Sequence, residues 1–459
     1  MTHVNDATSG AGSAGGDDRS EAATAADGST TADGWRRAGG QRSTTGDDTS
    51  NWAGNYTYTG DIVVPDSLDA VRAIVTSGRR VRALGTRHSF NALPDTEVLV
   101  HLGGLPSDPV IDEERRTVTV GAATRYGDLA RYLHGEGLAL HNLGSLPHIS
   151  VGGATATGTH GSGDANGTLS SAVSGLQLVV ASGDVIEVDR STEGFEGMVV
   201  GLGAFGVVTR VTLDVRPTFD IRQDAFTGVA WDRLIEDFDA VMGSAYSVSV
   251  LTRWASDTID HMWLKTLVTE STPDLIDATH LGAIAAPTSE TVDEQPSNLT
   301  SFGVAGPWSE LLPHFRLDST PSAGEEIQTE YLVPRDRIRE ALRALRAIGE
   351  RIDAALLITE LRTVAADDLW LSGASGRDVV GVHFTFVPDA DRVNAVVPAI
   401  EEILLPLGGR PHWGKHFLAT AADLAPLYPR RDEWAALVER YDPTGVFRNR
   451  FIEERVLGG

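Results

Sequence analysis

Residues 142–163 read NLGSLPHISVGGATATGTHGSG, a stretch in which most side chains from Ser145 onward are small. Small residues let backbone N–H groups close on an anionic ligand without steric or charge repulsion, so the segment is expected to be a loop that cradles a pyrophosphate. Upstream, VRALGTRHSF (81–90) places a β-rich run before a tight Gly-Thr-Arg-His-Ser turn, which projects His88 from a rigid element. Further out, VPDSLDAVRAIVTSG (64–78) sets Pro65 and Asp66 ahead of Leu68, Val71, Ile74 and Val75 at helical spacing. TVTVGAATRYGDLARYLHGEGLAL (117–140) again reads as strand then helix. LQLVVASGDVIEV (176–188) has two β-rich runs about a Ser-Gly-Asp turn, a hairpin pattern. These segments predict an α+β fold with mixed or antiparallel sheet.

After Val215, Arg216 and Pro217 the texture shifts to longer, more aromatic segments, and 320–352 combines a strand with an amphipathic helix. The expected organisation is a tail over 1–48, one domain over 49–216, a second over 217–417 and a closing segment, 418–459, with a helix and an Asp-Pro-Thr-Gly turn. Residues 1–48 are Gly, Ser, Ala, Thr and Asp with few aliphatics, a composition expected to stay disordered.

The chain has 459 residues, 41% of them hydrophobic, enough for two domains with sizeable cores. Its formal net charge of -26 repels phosphate backbones and anionic headgroups, so nucleic acid and membranes are not expected partners. Cysteine is absent, which removes thiolate metal sites and cysteine nucleophiles. With no leader or membrane-length run, a cytoplasmic monomer acting on small molecules is expected. The sequence holds two lysines, Lys265 and Lys415, against many arginines, so each raises the question of what an ammonium does there.

Two familiar strings are set aside. GLGAFG (201–206) has the dinucleotide-binding spacing but precedes VVTRVTLDV, a strand where that motif must open a helix. GRPHWGK (409–415) resembles a phosphate-binding P-loop, yet His416 stands where Ser or Thr must reach magnesium. His412 and His416 flank Gly414 without a nearby carboxylate, and no metal is expected.

In LLITELRTV (356–364), Glu360 and Arg362 share one face of a strand, and GVHFTF (381–386) does the same with His383 and Thr385. A solvated amphipathic face would look alike. A buried site for a polar ligand needs such convergent donors and acceptors to satisfy it.

Taken together, the His88 turn and the 142–163 loop resemble the vanillyl-alcohol-oxidase flavoprotein superfamily. SAYSVSVLTRW, FGVAGPWSELLPHFR, ELRTVAADDLWLS, RPHWGKHF and DPTGVFRNRF extend the resemblance to alditol oxidases over essentially everything after Asn51. The resemblance implies a two-domain α+β FAD-binding fold: an FAD domain of the PCMH type built from 49–216 plus the chain's end, 418–459, which returns to it, with 217–417 as a mixed α/β substrate cap. It implies that FAD is lined by Ala83, Leu84, Gly85, Thr86, Arg87, His88, Ser89, Ser145, Ser150, Gly153, Ala154, Thr155, Ala156, Val208 and His412, with His88 bonded covalently to the flavin. Arg87 stands where alditol oxidases carry a smaller residue. Around the substrate it implies Ser145, Glu360, Arg362, Thr385 and Lys415, with His383 behind them. The chemistry expected is oxidation of the terminal hydroxyl of alditols such as xylitol and sorbitol to the aldose, with molecular oxygen reduced to hydrogen peroxide. Arg362 and Lys415 are the cations that would steady charge developing on the hydroxyl oxygen, and Glu360 binds and orients hydroxyls. Gly144 would leave the approach of oxygen open. The alternatives are an aldonolactone oxidase or dehydrogenase of the same superfamily, a nicotinamide-dependent dehydrogenase, or a non-catalytic carbohydrate-binding protein.

Overall fold

The computed structural model describes residues 49–273, 277–286, 298–319 and 325–458; the expected tail over 1–48 lies outside them. The helix expected after Pro65 is Leu68–Val75, its start fixed by Ser67, whose hydroxyl accepts from the Ala70 N–H, and its inner face is Val71 and Val75. The next strand, Val81–Leu84, pairs in parallel with Val98–His101, which pairs in parallel with Asp61–Val63. Beside this small sheet lies an antiparallel one in the order Val110–Asp112, Thr117–Gly121, Val207–Asp214, Val173–Val179, Val185–Asp189. The last two strands are the hairpin read about Ser-Gly-Asp. The GLGAFG string does lead into a strand, Val207–Asp214.

The 142–163 segment corrects the reading of it as plain loop: Val151–Ala156 is a short helix. Its glycines serve close packing, since a Cβ on Gly152 would lie 2.8 Å from the Ala122 Cβ.

Strands from Asp220 to Pro411 build the large sheet. Its order is Ile284–Ala285, Asp220–Thr227, His261–Leu267, Ser247–Thr252, Leu356–Val364, Val379–Phe386, Ile327–Pro334, Arg410–Pro411. Period-2 alternation divides its faces. One face carries Val248, Val250, Leu361, Val382, Phe384 and Tyr331, all buried, with Ile338–Ala347 and Ala390–Leu404 contributing to the same apolar core. The opposite face carries Gln328, Glu330, Thr385, His383, Glu360 and Arg362.

A separate core gathers Val81, Val118, Leu129, Phe205 and Val211 with Trp434, Phe447 and Ile452 from the end of the chain. Trp308, Leu311 and Leu369–Leu371, from the middle of the sequence, join this core too. Asn449 ties the chain's end to its beginning by donating to the carbonyls of Ala92, Leu93 and Asp95. No helix among the described residues is long and apolar enough to cross a membrane.

Candidate active site

A cavity of about 350 Å³ runs from the Val81–Leu84 strand and its turn to the polar face of the large sheet. It is lined by Ala83, Leu84, Gly85, Thr86, Arg87, His88, Ser89, Gly144, Ser145, Ser150, Gly153, Ala154, Ala156, Val208, Glu360, Arg362, His383, Thr385, His412 and Lys415. The structure therefore brings together every residue expected at the site except Thr155. Thr155 turns away from the cavity: it is buried and its hydroxyl donates back to the Val151 carbonyl.

The turn before His88 is held by its backbone. Arg87 sits at φ 63, in the left-handed region that costs a side-chain-bearing residue roughly 1 kcal/mol, and its carbonyl accepts from the Trp52 N–H at 2.8 Å. The His88 ring stacks on Trp52, 5.2 Å between centroids, and its Nδ1 lies 3.0 Å from the Thr86 hydroxyl. Burial, with His148 and Lys415 adding to it, pushes its pKa down to about 3, so the imidazole is neutral.

Across the cavity, strand register sets the polar wall. Glu330, His383 and Glu360 stand side by side on adjacent strands, with Arg362 one step along opposite Gly381. Arg362 donates through Nη2 to Glu330 Oε1 at 2.7 Å and through Nη1 to the Ser145 hydroxyl at 3.1 Å. Its Nε lies 3.7 Å from Glu360 Oε1. Burial opposes its charge, but Glu360 and Glu330 outweigh that and raise its pKa. Burial likewise pulls the two carboxylates upward, and for both Arg362 is the strongest of the neighbours that hold them below the usual range. Lys415 donates to Gln328 Oε1 and lies over the Phe90 ring. Burial lowers its pKa to about 8, with Glu330 opposing.

Residues 61–189 match the family described as FAD binding domain, and residues 324–455 match D-arabinono-1,4-lactone oxidase. An alditol oxidase of Streptomyces sp. is 42% identical, covering 89% of this chain and 99% of its own length. This chain belongs to the alditol oxidase family. It is an FAD-binding oxidoreductase of two-domain α+β fold. An L-gulono-1,4-lactone dehydrogenase of Mycobacterium tuberculosis is 30% identical over 89% of this chain and 99% of its own. Cholesterol oxidase from Brevibacterium sterolicum shares the fold, with a TM-score of 0.74 at 15% identity over 89% of this chain and 96% of that one.

The cavity suits the cofactor of the alditol oxidase family. A Cβ on Gly85 would stand 2.5 Å from the Ser150 hydroxyl and one on Gly153 3.0 Å from it, so glycine keeps that wall open. His88 Nε2 is buried with no hydrogen-bond partner among the described residues, an imidazole nitrogen in the wall of the cavity.

Sequence reading missed Glu330, Gln328, His314 and His160, which line the same cavity. Glu330 is the hub of the cluster: its Oε1 lies 3.2 Å from His160 Nε2 and its Oε2 3.5 Å from His383 Nδ1, besides its bond to Arg362. The signal was present, since Gln328 and Glu330 alternate in IQTEYLVP just as Glu360 and Arg362 do in LLITELRTV.

Proposed function

We propose that this protein oxidises the terminal hydroxyl of alditols to the aldose, using covalently held FAD and passing the electrons to oxygen to form hydrogen peroxide. The observation that carries the reading is the polar cluster on the large sheet. Ser145, Gln328, Glu360, Arg362, Thr385 and Lys415 converge on the cavity that begins at His88, and a polyol is a ligand whose every carbon asks for a donor or an acceptor.

When bound, FAD supplies the two-electron acceptor for the hydride of the substrate's terminal carbon. Ala83 to Ser89, Ser145, Ser150, Gly153, Ala154, Ala156, Val208 and His412 would hold it, with His88 as the point of attachment. Arg362 and Lys415 bind the reacting hydroxyl and steady the negative charge that grows on its oxygen, a role suited to fixed cations in a buried site. Glu360 and Thr385 accept and orient the remaining hydroxyls, and His383 buttresses Thr385 through a 3.1 Å contact between its Nε2 and the hydroxyl. Gly144 leaves the approach of oxygen open. The working division is an FAD-binding part, 49–216 with 418–459, and a substrate cap, 217–417, in a protein that acts as a cytoplasmic monomer.

One observation favours a second substrate. The match of 324–455 to D-arabinono-1,4-lactone oxidase covers Glu330, Glu360, Arg362 and Lys415, so an aldonolactone is the competing reductant. The test begins with colour. The purified protein should be yellow, keep its flavin on the polypeptide through acid precipitation, and bleach when an alditol is added without oxygen. His88→Ala should release its flavin on denaturation. A colourless protein, or a yellow one that alditols leave oxidised, contradicts the proposal.

A further inference from the structure

Lys265 lies in the strand His261–Leu267, 1% exposed, and no carboxylate pairs with it among the described residues. Its Nζ donates to the carbonyls of Leu311 (2.9 Å), Leu312 and Pro313 (3.0 Å), at the end of the helix Trp308–Leu311. Burial pulls the Lys265 pKa down to about 7, but carbonyls only accept, and three of them converging on one nitrogen favour the ammonium form, which is held below that pH. The same Nζ stands 3.2 Å from His314 Nδ1.

That contact decides where His314 keeps its proton. An ammonium has no lone pair for an N–H to point at, so Nδ1 is the bare nitrogen, sharing one of the three Nζ protons with a carbonyl, and the hydrogen sits on Nε2. Nε2 lies 2.7 Å from Glu360 Oε1, with the Ser249 hydroxyl 3.3 Å away. The ring plane is fixed by Trp263, packed edge-on at 4.9 Å.

We infer that Lys265 is a positioning residue for the substrate site: it locks His314 as the Nε2–H tautomer, which donates to Glu360 Oε1 and leaves the other carboxylate oxygen to accept an alditol hydroxyl. The kinetic consequence rests on the alditol reading; the tautomer does not. Burial pushes His314 down to about 4, in keeping with a neutral ring that relays the ammonium's polarity without carrying charge. The arrangement also answers why one of the chain's two lysines is buried far from solvent: a compact ammonium can enter a ring of carbonyls that a planar guanidinium cannot.

The experiment is nitrogen NMR on the holoenzyme labelled with ¹⁵N-histidine, the His314 signals identified by their loss in His314→Gln, together with alditol kinetics. Wild type should show a bare Nδ1 and a protonated Nε2 at His314, and Lys265→Met should move the proton toward Nδ1. In Lys265→Met the alditol KM should rise about tenfold, the size of a lost charge-assisted hydrogen bond. In His314→Gln, whose amide can donate to Glu360 unaided, Lys265→Met should raise KM no further. A protonated Nδ1 in wild type overturns the inference even if Lys265→Met fails to fold. An unchanged tautomer in Lys265→Met, or effects on KM that multiply in the double variant, overturns it as well. Should the protein oxidise no alditol, the proposed function falls while the tautomer spectrum still decides the role of Lys265.

Discussion

Arg362 stands between Glu330 and Glu360 with both carboxylates ionised, so the cluster on the sheet carries more negative than positive charge until Lys415 is counted. Two cations that steady charge only as the hydride departs should matter to the rate more than to binding. Arg362→Ala and Lys415→Met are each expected to slow anaerobic flavin reduction by alditol at least about a hundredfold, as loss of one such donor does elsewhere. Flavin content should be unchanged, and stopped-flow absorbance measures both. The Lys415 ammonium, lowered to about 8 by burial against the pull of Glu330, is present below that pH and lost above it. Alditol kcat/KM should therefore fall as pH rises through about 8, and that limb should vanish in Lys415→Met; a profile flat through pH 9 in wild type would assign the charge to Arg362 alone. Gly144 does not occupy the left-handed region, so backbone freedom does not require glycine there, and an added Cβ would meet Ile149 Cδ1 at 3.4 Å. Gly144→Val should accordingly fold and slow reoxidation by oxygen more than reduction by alditol. Slowing of reduction alone would show that the position serves substrate instead.

At the scale of the element, strand alternation is what carries the site. Glu360 with Arg362, and His383 with Thr385, were legible because period 2 is local and needs no knowledge of what lies opposite. Glu330 obeyed the same rule, but only the register that sets it beside His383 shows what it does. His314 had no local signal and Lys265 was marked only by the scarcity of lysine, because their pairing comes from a loop that carries His314 over the strand of Lys265. Thr155 stands apart from its neighbours, which line the cavity, because the helix Val151–Ala156 turns its hydroxyl onto the Val151 carbonyl. The reverse face of the sheet makes a separable prediction. Phe384 is fully buried between Trp254, 5.8 Å away, and Phe386, 5.7 Å away. Phe384→Ala should destabilise by about 3–5 kcal/mol, as large cavities in cores do. It should do so without changing the alditol KM of the folded fraction, since the ring points away from Thr385 and His383. Denaturant melts and kinetics below the transition check this, and a raised KM would mean that the two faces are coupled.

At the scale of the whole molecule, the two largest apolar cores among the described residues flank the cavity, and the join between them is where the proposed chemistry would sit. The hydrogen bond from Arg362 to Ser145 spans that join, linking the polar face of the large sheet to the small-residue segment. That Trp434, Phe447 and Ile452 pack with Val81 and Leu129 is a long-range fact no local pattern contains; it entered the sequence reading only through the resemblance. The acidic surface, net -26, favours neutral polyols over anionic sugar acids by simple repulsion. Whether the site is built for an open-chain polyol or for a lactone ring is decided by turnover. Purified protein should be given xylitol, sorbitol or L-gulono-1,4-lactone under air, with peroxide and carbonyl product counted together. The expected result is one hydrogen peroxide and one aldose per alditol consumed, with kcat/KM for the better alditol at least about tenfold above that for the lactone. Turnover of the lactone with the alditols untouched would contradict the account.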